Sequence, residues 1–93
     1  GGGAGTVTET AHAFCETPGR KGLSIGILPS VPDAARGFVP KAGYPNAWIE
    51  IPVLTPLGTY AGGDDSVVNR NHVNILTADA IVALPGSGGT HNE

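Results

Sequence analysis

The sequence lacks what several classes of protein require. Its one cysteine cannot form an internal disulfide, so nothing in the chain requires an oxidising compartment. Lysine and arginine number 5 against 8 aspartates and glutamates, and the net charge of −3 argues against a basic nucleic-acid-binding face. No apolar run approaches the roughly 18 residues of a membrane span, and no basic segment followed by an apolar stretch indicates a signal peptide. We therefore expect neither nucleic acid nor membrane as a partner.

Glycine and proline, in contrast, are abundant. The 93 residues include 15 glycines and 8 prolines, a level at which loops dominate. The chain begins in the glycine loop 1–5, with no strand before it, and stops at Glu93 in what looks like a second glycine loop. We therefore expect residues 1–93 to be the middle of one larger domain, without its first strand and its C-terminal helices.

Two segments have the apolar spacing of amphipathic helices. The apolar residues of 6–17 recur at i, i+4, i+7 and i+8, and Thr6 and Glu9 have the spacing of a capping box. The second predicted helix covers 66–77, capped by residue 65 or 66. We interpret His72, on its apolar stripe, as a partly buried structural histidine, with a ligand contact as the alternative.

Three short apolar runs predict strands, at residues 23–28, 48–54 and 79–84. Pro52 lacks a ladder N–H, so we expect the second strand to be either an edge strand or short. Gly26 indicates a close backbone approach or tight helix packing at the first strand. Residues 29–47 contain four prolines and no periodicity, so we expect a long loop, of the kind that is usually functional or disordered. Strands alternating with helices predict an α/β fold with a mostly parallel sheet.

The two glycine loops have the same features of a phosphate-binding loop. Each should precede a helix, whose N-terminus offers unpaired N–H groups and partial positive charge, while glycine lets the backbone approach a phosphate. In a parallel sheet such loops meet at the carboxyl ends of the strands. Neither the dinucleotide fingerprint nor a Walker A loop fits the first loop, and each loop taken alone could be a tight turn. We expect both to line one anion pocket, with Arg70 facing it.

Residues 85–93, PGSGGTHNE, resemble the P-G-G-x-G-T-x-x-E motif of the Lonely Guy (LOG) family, with Ser87 in place of a glycine. The loop 1–7 resembles the first glycine loop of this family, and residues 26–29, GILP, resemble the strand end that follows it. Arg70-Asn71 stands where family members have an Arg-Lys pair. The chain is thus similar to the LOG/lysine-decarboxylase-like Rossmann superfamily, and segments such as 48–50 and 69–74 look more like the branch of molybdenum cofactor carriers.

This resemblance implies a Rossmann-like three-layer α/β/α domain that binds a nucleotide or phosphate, in a cytoplasmic homodimer or homotetramer. In LOG enzymes the matching arginine and the last glutamate of the motif serve N-glycosidic cleavage of a nucleoside monophosphate. By motif position this implies Arg70 and Glu93 as catalytic residues if the protein is an enzyme. The plain alternatives are an ion pair of Arg70 with Asp79 and a Glu93 that complements a helix dipole.

Two functions therefore compete. One is a carrier that binds a phosphorylated ligand, molybdenum cofactor or a nucleotide, without turnover, and Asn71 in place of lysine favours it. The other is a nucleoside 5'-monophosphate phosphoribohydrolase; a structural subunit with a decayed site is a third. Neither a required cofactor nor a metal site is expected. The predicted ligand-binding residues are Gly2, Gly3, Gly5, Thr6, Arg70, Asn71, Gly86, Ser87, Gly88, Gly89 and Thr90.

Overall fold

A computed structural model of the chain describes residues 2–60, 62 and 66–86. In chain order the elements are α1 (Thr6–Glu16), β1 (Ile25–Leu28), β2 (Ser30–Asp33), β3 (Gly37–Pro40), β4 (Ile51–Leu54) and α2 (Arg70–Thr77). β1 and β4 form a two-stranded parallel sheet, and β2 pairs antiparallel with β3. The predicted α/β class with a parallel sheet is confirmed, in the form of a partial Rossmann-like fold. Neither helix of the described residues is long and apolar enough to cross a membrane.

β1 is the buried strand of the parallel pair. Ile25 lies opposite Ile51, and the register continues to Leu28 opposite Leu54. Leu28 is 1% exposed, whereas β4 is exposed along its whole length. β4 is an edge strand in this sheet, which is where a strand tolerates Pro52.

Gly26 is the closest point of the sheet to the chain that packs on it. A Cβ atom at this position would lie 2.9 Å from the Cγ2 atom of Ile49, a distance that real Cβ contacts do not show. Gly26 does have a close neighbour, but this neighbour is the Ile49 side chain from the segment before β4, and not the backbone or the helix that the sequence predicts.

The predicted loop 29–47 is wrong in its first half, because β2 and β3 form an antiparallel hairpin there. The Asp33 carboxylate closes the turn by accepting hydrogen bonds from the backbone N–H groups of Ala35 and Arg36, at 3.0 and 2.9 Å. Prolines at 32 and 40 do not prevent pairing, because a two-stranded hairpin has a free edge on each strand for a residue without an N–H. An aspartate that accepts a hydrogen bond from the backbone two residues later is typical of a turn, and Asp33 therefore indicates a turn within this proline-rich segment.

Helix α1 has nearly its predicted length, but the predicted capping box is wrong. The N-cap residue is Gly5, with a φ of +76°, and no side chain caps the helix. Helix α2 begins at Arg70 and not at residue 66. The reason is Asn69, which has extended backbone and a side chain that accepts a hydrogen bond from the N–H of Asn71. His72 Nδ1 accepts from the Asn69 N–H at 3.2 Å, which confirms its interpretation as a structural histidine.

Two predicted strands also need correction. The strand at 48–54 is shorter, since pairing begins at Ile51. Residues 79–84 form no strand, and the side chains of Ile81 and Val82 are 59% and 86% exposed. A strand requires a neighbour for its backbone groups, and within the described residues β1 and β4 pair only with each other. The apolar run therefore has no regular secondary structure.

Candidate ligand-binding cleft

An open cleft of about 880 Å³ lies between the start of α1, the start of α2 and the segment 81–86. This volume is within the range of about 300–1,000 Å³ that small-molecule sites occupy. Its wall is chemically divided, with Val7, Phe14 and Ile25 among the apolar side chains and Thr6 and Arg70 among the polar ones. A ligand that combines a flat apolar part with an anionic group would match this division.

Helix α1 begins at the cleft, and no side chain of the described residues caps its N-terminus. The first carbonyl of the helix, that of Gly5, accepts from the N–H groups of Thr8 and Glu9 at 2.9 and 3.2 Å. N–H groups that precede the first helical hydrogen bond have no partner inside a helix, and the helix dipole adds partial positive charge at the same point. Gly3 and Thr6, which flank this point, both line the cleft. The start of α1 is therefore suited to an anion.

The glycine loop ahead of α1 is held by Asn46. The backbone N–H of Asn46 donates to the Gly2 carbonyl at 2.7 Å, and its Nδ2 donates to the Gly3 carbonyl at 2.9 Å. The Gly3 carbonyl also accepts from the Thr8 hydroxyl at 2.8 Å. The Gly2 and Gly3 carbonyls are therefore engaged by protein donors.

Gly2 is a buried residue of this loop and packs against the core. A Cβ atom at Gly2 would lie 2.5 Å from the Cδ2 atom of Leu28, which is almost fully buried and has no room to move. Glycine at this position therefore allows the loop to pack directly on β1.

Arg70 is the one charged residue among the described residues that line the cleft. Its Nη2 donates to the Tyr44 hydroxyl at 3.4 Å, and its guanidinium carbon lies 5.6 Å from the centroid of the Tyr44 ring. The Nε and Nη1 atoms are buried, and neither has a hydrogen-bond partner in the described part of the chain. Buried donors without acceptors cost free energy, so an anion that supplies acceptors here would be stabilised. The alternative of an ion pair with Asp79 does not form among residues 66–86.

The residue after Arg70 adds no second positive charge. Asn71 lines the cleft and is 4% exposed, and its backbone N–H donates to Asn69 Oδ1 at 2.9 Å as part of the α2 cap. A lysine here, as in the LOG motif, would add a cation beside Arg70. The cleft instead combines one cation with a neutral amide.

The predicted site residues divide into three groups. Gly2 is a buried residue of the first loop, and Gly5 lies at the N-cap of α1. Ser87, Gly88, Gly89, Thr90 and Glu93 lie outside the described residues. The predicted residues that the structure brings to the wall of the cleft are Gly3, Thr6, Arg70, Asn71 and Gly86.

Sequence reasoning missed two residues of this region, Tyr44 and Asn46. Both lie in the predicted loop 29–47, and their contacts with Arg70 and Gly3 span 26 and 43 residues of chain. No local pattern indicates contacts of such separation. The one available signal was the length of the loop, since long loops in compact domains are usually functional or disordered.

A bidentate ion pair between Arg20 and Glu50 lies outside the wall of the cleft. Arg20 Nη1 and Nη2 donate to the two carboxylate oxygens of Glu50 at 2.8 and 3.0 Å, and the Ser24 N–H donates to Glu50 Oε1 at 2.9 Å. The hydrogen bonds from Arg20 and then from Ser24 hold the pKa of Glu50 below its usual value, and Glu50 raises the pKa of Arg20 in turn. Glu50 thus joins the end of α1 to both strands of the parallel pair.

No group of three histidine, cysteine, aspartate or glutamate side chains is placed to hold a metal ion within residues 2–60, 62 and 66–86.

Comparison with known proteins identifies the family of the chain. The model of the SLOG cluster4 family matches residues 1–93. No curated protein and no solved structure matches the chain significantly. The SLOG superfamily includes LOG-like proteins, so the resemblance seen in the glycine motifs is confirmed at the level of the superfamily. Membership suggests a role in binding or processing nucleotide-related ligands. The chain belongs to the SLOG cluster4 family.

Proposed function

We propose that the protein binds a phosphorylated ligand in the cleft and acts as a carrier, with molybdenum cofactor as its cargo. The observation that carries the proposal is the Arg70 guanidinium, whose buried Nε and Nη1 donors have no acceptor among the described residues. Phosphate oxygens are acceptors that arginine binds with charge-assisted hydrogen bonds. The uncapped start of α1 supplies backbone donors at the same cleft.

The apolar wall supports a ligand with a ring system attached to its phosphate. Phe14 and Ile25 are 39% and 55% exposed on this wall, although both are large apolar side chains. A pterin or a nucleobase would remove such surface from water, and each 1 Å² of apolar surface that is buried contributes about 25 cal/mol. The phosphate would then fix the orientation of the ligand and the ring would add affinity.

Binding without turnover is favoured by the charge of the site. Asn71, at the position of the second basic residue of the LOG motif, is neutral and buried. With one cation instead of two, the phosphate of a nucleotide would be held less firmly in the orientation that cleavage requires. The sequence also favours binding without turnover at Ser87, which replaces a motif glycine and so places a side chain where the backbone would approach the ligand.

A second candidate function is supported by Glu93, which occupies the last position of the LOG motif. A carboxylate there can stabilise an oxocarbenium-like transition state or activate water in N-glycosidic cleavage. In that case Arg70 would bind the phosphate of a nucleoside 5'-monophosphate, and the protein would be a phosphoribohydrolase.

The binding proposal is tested by replacing Arg70 in the full-length protein. We expect Arg70→Ala to lose ligand that the purified wild-type protein retains, measured by native mass spectrometry, with little change in the free energy of unfolding. Arg36→Ala is the matched control, since it removes the same charge from the exposed turn of the β2–β3 hairpin. Equal retention in the wild type and Arg70→Ala would refute a ligand-binding role for Arg70.

The choice between carrier and enzyme is tested by turnover. We expect no sustained release of free base when the full-length protein is incubated with AMP and related monophosphates. Turnover that disappears in Glu93→Gln would replace the carrier with the phosphoribohydrolase. Turnover that persists in that variant would exclude Glu93 as the catalytic carboxylate.

Homo-oligomeric assembly in the cytoplasm is a further part of the proposal, carried by the family resemblance. Light scattering of the full-length protein should give a dimer or a tetramer. A monomer at micromolar concentration would contradict it.

A further inference from the structure

We infer that Tyr44 is a positioning residue of the cleft, which holds the Arg70 guanidinium where a phosphate can reach its free donors. The inference rests on the proposed function and adds to it a residue that no sequence motif indicates. Tyr44 lies in the segment between β3 and β4, and it lines the cleft.

The Tyr44 ring lies between the two parts of the proposed site. On one side the Arg70 guanidinium carbon lies over the ring, 5.6 Å from its centroid. On the other side is Gly3, where a Cβ atom would lie 3.2 Å from the Tyr44 hydroxyl oxygen and 3.3 Å from Cε1 and Cζ. The absence of a side chain at Gly3 therefore leaves the space that the ring occupies. Tyr44 thus contacts both the glycine loop and Arg70, which lies 26 residues after it in the chain.

The way in which Tyr44 contacts Arg70 preserves the donors that a ligand needs. An aromatic ring attracts a guanidinium through its face, which restricts the long arginine side chain without consuming an N–H group. The one hydrogen bond between the two side chains uses Nη2, at 3.4 Å, and Nε and Nη1 keep their donors. An acidic partner would hold Arg70 more strongly, but it would neutralise the charge and occupy those donors. A tyrosine is therefore suited to position an arginine that must remain available to an anion.

The test uses inorganic phosphate as the probe, titrated into the full-length protein and followed by ³¹P NMR at constant ionic strength. We expect Tyr44→Leu to weaken phosphate binding about three- to five-fold, the loss of one cation–π contact. Tyr44→Phe keeps the ring and should stay within about two-fold of the wild type, because the hydroxyl contact that it loses is long. Phe38→Leu, which removes a ring from the hairpin, should have no effect.

A positioning role differs from a general structural role in its dependence on Arg70. If Tyr44 acts through Arg70, Tyr44→Leu should weaken phosphate binding in the wild type but not further in an Arg70→Ala background. Where Arg70→Ala leaves no measurable binding, the contrast between Tyr44→Leu and Tyr44→Phe at equal unfolding free energy decides. Unchanged affinity in Tyr44→Leu, or an undiminished loss in the Arg70→Ala background, would overturn the inference and leave the phosphate site standing. A wild-type protein that binds no phosphate would overturn the proposed site and the inference together.

Discussion

Replacing Asn46 by alanine should loosen the first glycine loop. The Asn46 side chain donates from Nδ2 to the Gly3 carbonyl at 2.9 Å, and its Oδ1 accepts from the Trp48 N–H at 3.0 Å. Asn46→Ala removes both hydrogen bonds and leaves the backbone bond from the Asn46 N–H to the Gly2 carbonyl, at 2.7 Å, in place. The loop would then be held by its main-chain contact and by Thr8.

The magnitude follows from what each lost partner leaves behind. An intramolecular hydrogen bond contributes about 0.5–1.5 kcal/mol net, so two of them amount to about 1–3 kcal/mol. Both are partly buried, and the Gly3 carbonyl keeps the Thr8 hydroxyl as a donor at 2.8 Å. We therefore expect the lower part of that range, a loss of about 1–2 kcal/mol in the free energy of unfolding.

Urea denaturation of the full-length protein should show this as a lower midpoint at an unchanged slope. Phosphate binding should weaken as well, because the loop at the start of α1 would no longer be held in one position. Asn46→Asp is the control, since it keeps an acceptor for Trp48 but cannot donate to Gly3, and it should destabilise at least as much. The reasoning would be refuted if Asn46→Ala unfolded at the wild-type midpoint and bound phosphate with the wild-type affinity.

Three further predictions follow from the packing and charges. Gly2→Ala should destabilise the full-length protein by about 1–3 kcal/mol, because the new methyl group meets the buried Leu28 side chain; an unchanged urea midpoint would contradict this. The lowered pKa of Glu50 means that its contribution to stability is present above the usual carboxyl pKa and is lost as the pH falls through the folded-state value. In Glu50→Gln the free energy of unfolding should therefore fall less as the pH is lowered. An equally steep fall in this variant would show that other groups cause the acid destabilisation. The isolated 93-residue chain should melt without cooperativity by circular dichroism, since the large apolar side chains that are buried in its described part are those of Ile27, Leu28 and Pro29; a sharp two-state transition would prove this wrong.

Several features could be read from the sequence because they depend on local physics. The 3.6-residue spacing of apolar side chains determines α1, and an apolar run that ends at Pro29 determines β1. A glycine inside a strand predicts a close neighbour, and Gly26 has one in the Ile49 side chain. Arg70 was chosen by its spacing from a glycine motif, and it does line the cleft.

Other features depend on groups that are distant along the chain. Residues 79–84 have the composition of a buried strand, yet a strand exists only where a neighbour accepts its hydrogen bonds. Helix α2 begins at Arg70 because the Asn69 side chain accepts from the Asn71 N–H and the His72 side chain accepts from the Asn69 N–H. Residues 65 and 66 are also good capping types, so the sequence alone does not select Asn69.

The arrangement of the cleft is the clearest case. The sequence alone determined that a glycine loop and an arginine are present, because both are residue types with a specific chemistry. Only the tertiary structure decided that Tyr44 and Asn46 hold them in place, since each of these contacts joins segments that are 26 or more residues apart. Packing of this kind depends on the shape of the whole fold, and no periodicity or spacing within one segment records it.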